Sequence, residues 1–399
     1  MSVPKLRFKE FQGKWSVSCL NNYLYENILY NSDNEYNRED VLSVSGEYGL
    51  VNQMYFQGRS FAADDVSRYH IVKDKDIVYT KSPLKASPYG IVKTSYDKYG
   101  IVSPLYAIYH CFDNADNRFV EQYFANELRL NKYLKPIVNM GAKNTMQVRN
   151  DDVLGGKVLF PRLAEQKKIA DFLTNFDKRI ATQQNIIADL EETKKGLLQK
   201  IFSQEIRFKD DNGQDYPKWE KNLLADIIVC FSGGTPKSDE KDYYVGNIPF
   251  IRSGEIHKAN TELHISEDGL ANSSAKMVKK GDLLYALYGA NSGECDISKI
   301  SGAINQAVLC IRPIKDDVYY IFLWLSYFRK YIVSTFLQGG QGNLSATTIK
   351  RLSVMLPCIE EQRKIAAFLL TFDKKITAEK QVLSDLQEMK KGLLQQMFV

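Results

Sequence analysis

Pro161–Ile180 reads PRLAEQKKIADFLTNFDKRI, and Pro357–Ile376 reads PCIEEQRKIAAFLLTFDKKI. The match runs without a gap to Phe202 and Phe398, at a constant offset of 196 residues, with about half the positions identical. A repeat on this scale decides the architecture before any local reading does.

Each copy carries apolar residues at alternating steps of four and three, the spacing of a coiled-coil seam. In the first copy these are Ile169, Leu173, Phe176, Ile180, Ile187, Leu190, Leu197 and Ile201. In the second they are Ile365, Leu369, Phe372, Ile376, Leu383, Leu386, Leu393 and Met397. Polar residues interrupt both seams at the same two places, Gln183 and Lys194, then Glu379 and Lys390. Polar seam residues cost stability but fix register, so matched interruptions imply that the two helices pack on each other. A second apolar line, Phe172 and Ile186 with Phe368, Val382 and Met389, widens each face. That line covers either the chain's own globular parts or helices of another subunit.

Pro161 and Pro357 precede the helices, and Glu165 and Glu361 sit in the first turn, where negative charge suits the helix dipole. Paired lysines, Lys194–Lys195 and Lys390–Lys391, lie toward the other end. The matched Gly196 and Gly392 are expected to admit another backbone closely. About 38 residues at roughly 1.5 Å each make a rod of about 55 Å.

The segments before the helices are diverged repeats as well. LRFKEFQGKW opens the chain, IRFKDDNGQDYPKW follows the first helix, and Trp15 matches Trp219. IVKDKDIVYTKSP from Ile71 parallels MVKKGDLLYALYG from Met277. Each part closes with a helical run, a Gly-Asn loop (Gly141–Thr145, Gly339–Ser345) and a short strand. The expected order is globule (1–160), helix (161–202), globule (203–356), helix (357–399). The expected class is α+β, with two related globules separated by two long antiparallel coiled-coil helices in a pseudo-two-fold internal repeat. Two unlike tools held a fixed distance apart suit a linear polymer with two half-sites, as on DNA, where symmetric readers span roughly 34–36 Å.

Composition narrows the function. The net charge of +5 permits an anionic partner without demanding one. Six scattered cysteines and four histidines show no metal spacing, which suits a reducing compartment. No run suits a signal peptide or a bilayer span, so a cytoplasmic chain is expected, with no membrane partner. No phosphate-binding G-x-x-x-x-G-K-[ST] loop exists. Ser103–Tyr106, SPLY, resembles the (N/D/S)-P-P-(Y/F) grip of amino-methyltransferases but has Leu at the second Pro, and its counterpart, Asn305–Val308, is NQAV.

Residue types that contact DNA recur in matched loops. The first globule offers Lys81, Ser82, Lys85 and Tyr89, then Lys143 and Asn144. The second offers Thr235, Lys237, Arg252, Ser253, Tyr288, Asn291, Ser292, Gln341 and Asn343. These are the candidate DNA-binding residues. No catalytic residue and no metal ligand is assigned.

The P-x-x-x-E-Q-x-K-I-A-x-F-L run at Pro161 and Pro357, with GGTPKSDEKDYYVGNIPFIRSGEI, GDLLYALYGANSGE, INQAV and GGQGNLSATTIKRLSVMLP, resembles the DNA specificity subunits of type I restriction–modification systems. The resemblance covers the whole chain and is weakest in the first globule, which lacks the GGTP turn and has TKSP in place of LYGA. It implies that each globule is a target recognition domain reading one half of a bipartite double-stranded DNA site. It implies that the helices set the spacing and dock modification subunits, two in number, and that restriction subunits join them. Ile169, Phe172, Leu173, Phe176, Ile180, Ile187, Leu190 and Leu197, with Ile365, Phe368, Leu369, Phe372, Ile376, Leu383, Leu386 and Leu393, would form the helix seam or subunit interface. This chain would hold no cofactor, and S-adenosylmethionine, Mg and ATP would belong to the partners. Two other readings stay open: a self-contained adenine methyltransferase with degenerate motifs, and a coiled-coil adaptor without a DNA role.

Overall fold

A computed structural model describes residues 3–83, 87–140, 146–337 and 343–399. The chain divides into two compact units, one of Met1–Asn185 with Lys380–Val399, the other of Ile186–Glu379.

In the first unit the strands Leu24–Glu26, Ala107–Cys111, Ile77–Tyr79 and Val92–Thr94 lie in that order in an antiparallel sheet. A second layer runs Gly49–Asn52, Leu42–Ser45, Gly100–Val102, His70–Val72, with Val41 bridging parallel to Ile101. The second unit repeats both orders. Its strands Ile228–Ser232, Val308–Pro313, Leu283–Ala286 and Cys295–Ile297 form one sheet. His264–Ile265, Ile248–Ile251, Gly302–Ile304 and Lys276–Val278 form the other, with the same parallel pair inside it. The central strands Ile77–Tyr79 and Leu283–Ala286 are apolar and buried throughout, as strands covered on both faces must be.

The repeated segments are long helices, Leu163–Phe202 and Ile359–Gln396. In the first unit, Ile169 and Leu173 from the start of one helix share a core with Leu394 from the end of the other and with Met397 and Phe398 just past it, around Trp15, Phe119 and Phe160. In the second unit the roles exchange: Ile201 shares a core with Ile365 and Leu369 around Trp219 and Tyr320. In each unit the two helix segments therefore run antiparallel. The seam lysines mark the same register twice. Lys194 Nζ bonds Asp373 at 2.5 Å in the second unit, and Lys390 bonds Asp177 in the first. The second apolar line is largely open: Ile186, Phe368, Val382 and Met389 are all exposed.

One expectation fails. A Cβ added at Gly196 or Gly392 would meet nothing within 4 Å, so no backbone of this chain lies close to either glycine.

The Glu-Gln of the repeated motif joins each helix to its globule. Glu165 is buried and accepts from Arg7 Nε and Nη2 at 2.8 and 2.7 Å and from Trp15 Nε1 at 3.2 Å. Glu361 is buried and accepts from Arg207 Nη2 at 2.6 Å and Trp219 Nε1 at 3.0 Å. Beside them, Gln166 donates to the Pro161 carbonyl and accepts from the Asp116 amide, both at 3.0 Å. Gln362 does the same with Pro357 and Asp317, both at 3.0 Å. Asp116 and Asp317 in turn cap the helices Asn117–Phe124 and Val318–Tyr327 by accepting from two backbone N–H groups each. The first-turn carboxylate thus does more than answer the helix dipole. It is the buried acceptor on which the start of each globule closes.

Candidate nucleic-acid interface

In the second unit the GGTP turn is pressed onto the chain after strand Gly302–Ile304. A Cβ on Gly233 would lie 1.7 Å from the Ile304 carbonyl oxygen, and one on Gly234 would lie 2.5 Å from Ser274 Cβ. Only glycine lets the turn sit there. Gly233 N–H donates to Asn305 O at 3.3 Å, and Thr235 Oγ1 donates to Gln306 Oε1 at 2.6 Å. Lys237 follows and is exposed.

Backbone bonds carry this turn to the other loops. Leu287 N–H donates to Ala307 O at 2.8 Å, and Leu344 N–H donates to Leu287 O at 2.8 Å. Tyr288 and the exposed Asn343 are therefore neighbours in the fold of Thr235, though far apart in sequence. Asn291 Nδ2 reaches the Ser253 carbonyl at 3.4 Å, which ties the LYGANSGE loop to the FIRSGEI loop.

Not every expected residue is free to reach a ligand. Arg252 is engaged twice, by Glu255 at 3.0 Å and by Glu262. Ser292 is buried, and its hydroxyl donates to Gly289 O at 2.9 Å. These two hold loops, while Thr235, Lys237, Asn291 and Asn343 present polar atoms. Sequence reading also passed over an ionic knot behind the loop. His257 lies between Asp296 and Glu294, at 3.0 and 3.2 Å, and Arg329 pairs with Glu294 at 3.2 Å. Bonding to Asp296, opposed by burial, raises the His257 pKa. No spacing rule announces this knot, because a strand, a loop and a helix each supply part of it.

In the first unit Lys81 follows strand Ile77–Tyr79 with φ of 44°, a left-handed backbone uncommon outside glycine. It is half-buried, and desolvation lowers its pKa. Ser82 adjoins it, and the Tyr89 carbonyl accepts from Tyr79 Oη at 2.8 Å. Lys85, Lys143, Asn144 and Gln341 lie outside the described residues.

Burial pushes the thiols of Cys111, Cys295 and Cys310 up to about 12, the opposite of an activated nucleophile. Among the described residues no three His, Cys, Asp or Glu side chains cluster as metal ligands. No helix of the described residues is long and apolar enough to cross a membrane.

The profile of the type I restriction modification DNA specificity domain matches residues 64–192 and 216–388. The chain belongs to this family. Its two matches fall on the two repeats. The specificity subunit of the type I restriction enzyme MjaVIII from Methanocaldococcus jannaschii is 26% identical over 259 residues, covering 60% of this chain and 60% of that one. The chain thus spans about three fifths of the length of its curated relatives. The crystal structure of a type I restriction–modification S subunit from M. genitalium superposes with a TM-score of 0.62 at 15% identity, covering 100% of this chain and 99% of that one. A chain from a study of complex assembly and conformational transition in the type I system gives 0.57 at 17% identity, covering 96% and 97%. At these identities the structural likeness speaks for the fold.

Proposed function

We propose that this chain is the specificity subunit of a type I restriction–modification complex. Residues 1–160 and 203–356 act as target recognition domains, each reading one half of a bipartite site in double-stranded DNA. The helices of 161–202 and 357–399 set the distance between the half-sites and dock modification subunits. Restriction subunits complete the assembly. S-adenosylmethionine, Mg and ATP work in those partners, and this chain contributes selection without bond chemistry. Its place of action is the cytoplasm.

The observation that carries this reading is the repetition of one fold and one helix junction with unlike loops. Glu165 and Glu361 are gripped alike, while the Thr235–Gln306 pair of one globule has Asn31 and Pro104 at the corresponding places after the paired strands of the other. A shared frame with divergent loops separates what must stay fixed from what must vary. The candidate contacts are Lys81, Ser82 and Tyr89 in one globule, and Thr235, Lys237, Tyr288, Asn291 and Asn343 in the other. The open apolar line of Ile186, Phe368, Val382 and Met389 supports a subunit interface along the helices.

The test is adenine-methylation mapping in cells that make this chain with its modification subunit. Exchange of one globule should replace one half of a split motif and leave the other. Methylation independent of the chain in an assembled complex would overturn the reading. Methylation by the purified chain alone would replace it with the methyltransferase reading.

A further inference from the structure

The first globule carries an open pocket of about 560 Å³ lined by Tyr30, Ser32, Ser67, Arg68, His70 and Pro104. It is built from two antiparallel segments. Asn31 N–H donates to Tyr69 O and Ile71 N–H donates to Leu29 O, both at 2.9 Å, so Tyr30 lies opposite His70. Their rings meet at a tilt of 35°, with 4.6 Å between centroids. Asn31 is buried and locks the turn, exchanging hydrogen bonds with the Tyr36 backbone at 2.8 and 3.0 Å.

Strand register places this pocket in the fold. His70 pairs with Val102 as Lys276 pairs with Ile304, so Pro104 holds the position of Gln306. Glu26 pairs with Tyr109 as Cys230 pairs with Ile311, so Tyr30 holds the position of Gly234. The pocket therefore occupies the place where the second globule has its GGTP turn on Gln306. The first globule lacks that motif, yet it has built something else there.

The lining suits a nucleotide. No carboxylate lines it. Arg68 is exposed, and its charge helps to lower the pKa of Asp65, though the two form no ion pair among the described residues. Tyr30 is half exposed, so its ring is a ready platform. His70 is only 6% exposed and its Nδ1 has no hydrogen-bond partner. Burial lowers the His70 pKa against an opposing pull from Glu26, and Lys81 lowers it further against a bond to the Pro104 backbone. The buried imidazole lying against a tyrosine makes a stiff floor, with Arg68 as the exposed cation at the rim.

Resting on the function proposed above, we infer that this pocket is the base-reading site of the first globule. Arg68 addresses a base edge of duplex DNA in the forked geometry that a guanidinium offers to guanine. Ser32 and Ser67 meet the adjoining phosphate, and the Tyr30–His70 pair holds the register. Tyr30, Arg68 and His70 are specificity determinants that the sequence motifs do not mark.

The experiment uses the full complex with its modification subunits, and reads the methylated motif and binding to duplexes altered at one base pair. Arg68→Ala should relax one position of the first globule's half-site, losing about tenfold or more in discrimination there. Arg68→Lys should keep most of the affinity but lose the same discrimination, because an ammonium lacks the fork. Tyr30→Ala should weaken that half-site without touching the other. Thr235→Ala serves as the reference in the second globule. If Thr235→Ala alters its own half-site while both Arg68 variants and Tyr30→Ala leave theirs intact, the pocket inference fails alone. If globule exchange itself leaves the motif unchanged, the function reading fails with it. Loss of complex assembly in Arg68→Ala would also overturn the inference, since it would mark a protein contact.

Discussion

Trp15 and Glu165, 150 residues apart, share a hydrogen bond of 3.2 Å, and Trp219 and Glu361 repeat it at 3.0 Å. Each carboxylate also takes an arginine, Arg7 or Arg207, from the run that opens its repeat. A buried acceptor with a guanidinium and an indole N–H on it closes the start of the globule over the start of the helix. Truncating the carboxylate leaves both donors without it. Glu361→Ala should cost about 2–4 kcal/mol, less than a fully buried pair because Arg207 keeps some solvent. Glu361→Gln retains one acceptor and should cost about half as much. Urea unfolding of the full chain, followed by tryptophan fluorescence, measures both, and equal costs would show that charge is not what matters at the clamp.

Glycine positions separate two opposite outcomes. Gly233→Ala drives a methyl into the Ile304 carbonyl, which is backbone and cannot step aside. It should destabilise the second globule by about 2 kcal/mol or more. Gly196→Ala and Gly392→Ala lie inside helices with open space around the new methyl. Each should stabilise by about 0.5–1 kcal/mol. Thermal melting of the three variants decides it, and a loss at Gly196 would reveal a neighbour in the assembled complex.

These residues also show what was legible beforehand. The repeat, the heptad spacing and the matched seam lysines are local patterns, so they could be read in one dimension. The role of Glu165 could not be, because Arg7 and Trp15 arrive from the far end of the globule and no local pattern pairs them. Gly392 misled for a related reason: a small residue near a helix end suggests contact, but only the packing says whether a neighbour is there. The polar loops of the second globule were legible because GGTP and LYGANSGE keep their turn residues. Tyr30 and His70 were not, since their meeting depends on strand register across 40 residues.

His257 sits between two carboxylates, and its raised pKa has a definite sign. A histidine whose folded pKa exceeds its unfolded value of about 6.5 adds stability below that value. The contribution fades as pH rises through the folded pKa, so the window opens near pH 6.5 and extends above it. The imidazole is half exposed, so the effect should be well under about 1 kcal/mol. Stability of the chain at pH 6 and pH 8 should differ by this small amount, and His257→Ala should remove the difference. A slope unchanged in His257→Ala would assign it to other groups.

Lys194 and Asp373 bridge the helices in the second unit, and Asp373 also accepts from Tyr319 Oη. Both side chains are largely shielded, so the coupling should exceed that of a surface pair. A double-mutant cycle with Lys194→Ala and Asp373→Ala should return about 0.5–2 kcal/mol. Coupling near zero would mean that the seam lysine serves register alone.

The helices make the sharpest demand on the proposed function. If they measure the distance between half-sites, their length is the only variable that should change it. One added heptad in each helix lengthens the measure by roughly 10 Å. At about 3.4 Å per base pair, that is a gap wider by about three base pairs. The insertions must be made together, because the Asp177–Lys390 and Lys194–Asp373 pairs fix the register of one helix against the other in each unit. A heptad in only one helix would break one of these pairs, and assembly should suffer before spacing changes. Methylation mapping of the doubly extended chain should find the same two half-sites, farther apart. New half-site sequences at the old spacing would show that the helices carry base contacts, and the division between frame and reader would have to be redrawn.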